Sequence, residues 1–142
     1  MTAVLEVTRS SVVDVDGAMA WTHAPLIQRY CADFERTPEE GESCFTSFKQ
    51  FLVVCARSDT PRAPSSTIDD MWHTALLFSR SYFAYCEQFF GEIVHHDPIT
   101  GTADVDVYAN TRDDACALFG ELPAAYWPEP ASAKMCGSMY IP

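Results

Sequence analysis

The chain has 142 residues, with 20 acidic against 9 basic side chains and a formal net charge of −11 at pH 7. That length fits one domain (1–142) and leaves little room for two. Nearly half of the residues are apolar (48%) and 13% are aromatic, so a real core can form and wholesale disorder is excluded. A pI near 4.5 argues against nucleic acid and against an anionic membrane surface, since both call for a basic face.

The first residues, MTAVLEVTRSSVV, lack a basic start, a long apolar run and a small-residue cleavage site, so no secretory signal is expected. The longest near-apolar run, residues 51–56, is far too short to span a bilayer. The expected compartment is the cytoplasm, where thiols stay reduced. Cys31, Cys44, Cys55, Cys86, Cys116 and Cys136 include no CxxC pair and read as free thiols packed as small apolar side chains.

In chain order, residues 1–16 carry scattered valines among polar neighbours and read as a strand or an irregular arm. A first helix follows from Ala18 to about Glu35, with Trp21, Leu26, Ile27, Tyr30 and Phe34 as its stripe. Because proline is tolerated only in a first turn, Pro25 moves its start toward Ala24. Thr37-Pro38-Glu39-Glu40 is a capping box with proline at the first helical position. Phe45, Phe48, Leu52 and Cys55 then carry a helix to about Arg57. Residues 58–66 hold two prolines and form a loop. The longest element is expected from Ile68 to Phe90, where Trp72, Leu76, Ser79, Phe83, Cys86 and Phe90 fall within a band of roughly 80°. Gly91 ends it.

The stretch from His95 to Gly101 is a loop, and residues 102–109 alternate apolar and acidic as a short strand or extended connection would. Thr111 caps a last short helix to Phe119, with Gly120 beyond it, and a proline-rich tail lies extended, 130–142 at its end. The expected fold class is all-α: a compact bundle of about four helices with an irregular N-terminal arm, room for a short strand pair, and an extended C-terminal tail.

Three of the four histidines lie within 24 residues. On the long helix Asp69 precedes His73 by one turn, and Arg80 and Glu87 follow, so the four line one edge of the apolar stripe. Asp69 can hold one imidazole nitrogen and leave the other for a ligand, while the Arg80 fork suits an anion. In this arrangement His73, Asp69 and Arg80 are the candidate catalytic residues. The bland reading of the same residues is an i,i+4 pair within a surface ion network.

His73, Cys86, His95 and His96 are the candidate metal ligands, with nitrogen and sulfur donors suited to zinc or iron. Cys86 stands thirteen residues beyond His73, about 220° round and roughly 20 Å along an unbroken helix, so the two cannot share an ion there. Either His73 takes ligands from other segments, or Cys86 takes His95 or His96 from the returning loop. Cys86 as a nucleophile is weaker, since a packed thiol is inert. A phosphate loop, a GxSxG elbow and an HExxH pair are all lacking.

Asp69, Trp72 and His73, followed by Arg80, Tyr82 and Cys86, then Phe90-Gly91 and His95-His96, resemble the bacterial glycine-rich domain-containing protein-like family. The likeness extends upstream through residues 48–55 and downstream to Phe119-Gly120 and Tyr126-Trp127-Pro128. It implies a largely helical single domain and brings Asp69, His73 and Arg80 together. The chain departs from that pattern at Ala75, where many relatives have a second histidine, and keeps only Cys136-Gly137 of a Gly/Cys-rich tail.

Two functions follow. In one, a His-centred polar cleft binds a metal ion or an anionic small molecule and serves as a biosynthetic-pathway enzyme, with no nucleic acid and no membrane as partner. In the other, the protein is a non-catalytic helical interaction module for a protein partner, and His73, Asp69 and Arg80 are structural.

Overall fold

The computed structural model describes residues 13–98, 105–132 and 138–142. Its elements in chain order are α1 (Val15–Ala20), α2 (Ala24–Phe34), α3 (Pro38–Ala56), α4 (Ser66–Leu77), α5 (Ser79–Phe90), β1 (Asp97–Pro98), α6 (Val105–Phe119), a 3-10 turn (Pro130–Ser132) and β2 (Ser138–Met139).

The capping box starts α3 as its sequence requires. Thr37 Oγ1 accepts from the Glu40 N–H at 3.2 Å, and Glu40 Oε1 accepts from the Thr37 N–H at 3.0 Å. The first half of α3 buries a stripe of Gly41, Cys44, Phe45 and Phe48, whereas residues 51–56 are buried without exception. A helix apolar on all sides belongs at the centre, and α1, α2, α4 and α6 all pack on α3. The apolar run at 51–56 is thus the middle of the core.

The all-α class holds, but the described residues form six helices, where about four were expected. Trp21 leaves helical geometry after α1, and His23 caps α2 by accepting from the Leu26 N–H at Nδ1. That puts Pro25 in the first turn of α2. The expected helix over 68–90 is broken at Phe78, whose φ of −103° and ψ of 51° end α4 and begin α5. The Phe78 ring meets the His23 ring at 5.1 Å. The break resets the register, so α5 buries Tyr82, Tyr85, Cys86 and Phe90 while Ser79 and Phe83 are exposed.

Residues 105–109, expected in an extended segment, begin α6. Tyr108, Thr111 and Ala115 are its buried positions, a helical spacing that the Asp-Val alternation disguises. Thr111, expected as a cap, lies inside α6 and donates to the Val107 carbonyl. The rest of that expected segment, 102–104, lies outside the described residues, as does 1–12 of the expected arm, whose remainder contributes to α1.

Strand structure among the described residues is slight. β1 and β2 pair antiparallel, Asp97 opposite Met139 and Pro98 opposite Ser138, and Arg62 exchanges backbone hydrogen bonds with Tyr140. The end of the chain is thereby tied beside the His95-His96 loop. Among the described residues Cys31, Cys44, Cys55, Cys86 and Cys116 are free thiols, and Cys136 lies outside them, as do residues 133–137 of the expected tail. No helix among the described residues is long and apolar enough to cross a membrane.

Candidate metal centre

Asp69 belongs to the first turn of α4, a helix whose N-terminus is fixed by Ser65. The Ser65 hydroxyl accepts from the Ile68 N–H and donates to the Tyr126 carbonyl, which anchors the start of α4 to the segment after α6. Helical spacing then puts His73 one turn after Asp69, with His73 Nε2 3.5 Å from Asp69 Oδ2. His96 comes from a different segment, the loop after α5, and its Nε2 lies 2.9 Å from Asp69 Oδ1. The two imidazoles are neighbours, with ring centroids 4.5 Å apart.

The Asp69 side chain is 8% exposed and that of His96 9%, against 54% for His73. The group is therefore buried on the Asp69–His96 side and opens to solvent at His73. A buried carboxylate has to be compensated, and Asp69 presents one oxygen to each imidazole. The three residues can each offer a ligand atom, with all three atoms within 4.8 Å of one another. They could hold a metal ion. A tetrahedron with metal–ligand bonds of about 2.0–2.2 Å has edges of roughly 3.3–3.6 Å; the 3.5 Å separation at His73 falls within that range and the 2.9 Å separation at His96 falls below it.

Behind the imidazoles stands a buried wall. The Trp72 ring meets His96 edge-on at 4.5 Å and Phe51 at 5.1 Å. Trp72 Nε1 donates to the Tyr82 hydroxyl at 2.9 Å, and that hydroxyl donates to the Val94 carbonyl at 2.5 Å. Next to the site, burial raises the Asp70 carboxyl above its usual range, and the Asp69 charge adds to the effect.

The remaining expected site residues lie elsewhere. Cys86 is fully buried in α5, where it accepts from the Val94 N–H, and burial pushes its thiol up to about 11. Such a thiol stays protonated at neutral pH and is a poor nucleophile. His95 is exposed and lines a shallow hollow of about 190 Å³ with Glu92, Tyr140 and Ile141. Arg80 and Glu87 are exposed on α5, beyond the break at Phe78 that removes the continuous edge expected to join them to His73. Two larger hollows of about 500 Å³ lie on other faces, one beside Cys31 and Arg36, the other beside Arg57 and Arg62.

Sequence reasoning took Asp69 as a partner of His73 or Arg80, and not as a metal ligand. It missed that Asp69 faces His96 as well, and it missed the Trp72–Tyr82–Val94 relay. The signal for the first was present in the i,i+4 spacing together with a second histidine in the loop; nothing local encodes the relay.

The UCP032817-like family matches residues 22–110, well over half of the chain, and that segment contains Asp69, His73 and His96. This overturns the resemblance to the glycine-rich domain-containing protein-like family, which nothing in the comparison supports. A short pattern of Asp, Trp, His and Gly covers only α4, α5 and the turn after them, whereas the family match rests on residues 22–110. No curated protein and no solved structure matches the chain.

Proposed function

The chain belongs to the UCP032817-like family, a name that carries no activity, and from its own side chains we propose that it binds a transition-metal ion through Asp69, His73 and His96. The observation that carries this reading is one carboxylate, buried, with an oxygen turned to each of two imidazoles from separate segments. Two histidines and a carboxylate suit zinc with a water in a fourth position, or iron(II) bound on one face. Three protein ligands leave positions open toward the solvent side at His73, where an anionic small molecule could bind to the ion. A metal in such a site supplies Lewis acidity to what it binds. Arg80 does not enter this reading.

A second reading is a metal-free network that ties the loop to α4, in a protein that serves as an interaction module. It is favoured by the 2.9 Å separation of His96 and Asp69, an ordinary hydrogen-bond length. Titration separates the two. Chelator-treated protein is expected to take up one equivalent of zinc or cobalt(II), and Asp69→Ala and His96→Ala are each expected to abolish uptake. Failure of the wild-type protein to bind either metal in stoichiometric amount leaves the network reading in place.

A further inference from the structure

Of the groups at the centre, His96 alone comes from a loop, so something must hold that loop against α4. The connection is Val94, two residues before His96. Its carbonyl accepts from the Tyr82 hydroxyl, its N–H points to the Cys86 sulfur, and its side chain is buried. Tyr82 is fixed in turn, because its hydroxyl oxygen accepts from Trp72 Nε1. Trp72 precedes His73 and its ring edge lies against His96. One hydroxyl thus joins the helix that carries Asp69 and His73 to the loop that carries His96, with every member of the chain buried.

We propose that Tyr82 is a positioning residue for the centre: its hydroxyl, held by Trp72, sets the place of Val94 and so the reach of His96 to Asp69. Tyr82 touches neither imidazole in this role. The inference rests on the proposed metal-binding reading for one of its two readouts only.

The test uses the full chain and a matched pair of variants. Tyr82→Phe deletes the relay hydroxyl. Tyr85→Phe deletes another buried hydroxyl of α5, one that donates instead to the Ala18 carbonyl of α1 at 3.1 Å. Cobalt(II) affinity of Tyr82→Phe is expected to fall by about 10–100-fold, the usual loss for an outer group that orients a ligand, with a changed visible absorption of the bound cobalt. Tyr85→Phe is expected to bind as the wild type does.

In metal-free protein, the His96 imidazole resonances are expected to shift in Tyr82→Phe and stay in place in Tyr85→Phe. Equal affinity and unmoved resonances in Tyr82→Phe overturn the positioning role, as does an equal effect of both variants. If the wild type takes up no cobalt, the metal reading fails, and the metal-free resonances still decide the role of Tyr82.

Discussion

At the scale of single residues, the centre is unequal. Asp69 is buried and His96 largely so, 2.9 Å apart, whereas His73 is half exposed and 3.5 Å away. Removing a partner from a buried carboxylate leaves a desolvated charge, at a cost of about 1–3 kcal/mol. An exposed pair contributes less than about 1 kcal/mol. Urea unfolding in metal-free buffer should therefore find His96→Ala destabilised by about 1–3 kcal/mol and His73→Ala by under about 1 kcal/mol. Equal losses would mean that His96 is not the stronger of the two imidazole partners of Asp69. With metal present the order is expected to narrow, since both histidines then act as ligands. The i,i+4 relation of Asp69 and His73 was legible because helix geometry alone creates it. The contact of Asp69 with His96, 27 residues away, has no local cause.

At the scale of elements, α1 shows how a short helix is held. It has six residues, too few to be stable alone. Lys49 of α3, 5% exposed, donates to the carbonyls of Met19 and Trp21 at 2.8 Å each, and its ammonium lies 4.8 Å from the Phe45 ring centre. Tyr85 donates to the Ala18 carbonyl, and its ring stacks on Trp21 at 4.1 Å. Lys49→Met keeps the stem and leaves two carbonyls unpaired. It is expected to cost about 1–3 kcal/mol and to raise amide exchange across residues 15–21 while α3 and α4 stay protected.

Burial lowers the Lys49 pKa below its ordinary 10.5. The folded protein then binds that proton less tightly than the unfolded chain does, so stability rises with pH between the lowered value and 10.5. Lys49→Met should remove that rise from the alkaline arm of the stability profile; an unchanged slope would show that Lys49 is not its source.

The capping box of α3 and the Gly91 terminus of α5, at φ 75°, were read correctly from sequence, because caps are encoded within four residues. The break at Phe78 was not. No glycine or proline marks it, and its visible partner is the His23 ring, 55 residues upstream.

At the scale of the whole molecule, metal binding and folding are linked. Asp69, His73 and His96 come together only in the folded chain, so an ion that binds them stabilises the native state by RT ln(1 + [L]/Kd), about 2.7 kcal/mol at a hundred times Kd. Thermal unfolding of the wild type is expected to move upward with zinc and to return on chelation, while Asp69→Asn should show little of this shift. An equal shift in both proteins would place the bound ion elsewhere, for which the net charge of −11 offers other carboxylates.

By itself the sequence determined the helical class, the cap of α3, and the pairing of Asp69 with His73. All of these follow from composition or from spacings of a few residues, where backbone geometry leaves one outcome. Only the tertiary structure decided that His96, and neither His95 nor Cys86, meets Asp69. That choice depends on where α4 ends, how α5 turns back, and how Tyr82 and Cys86 hold Val94. Those contacts lie 8 to 27 residues apart in the chain and are fixed by packing in the core, which no local pattern records.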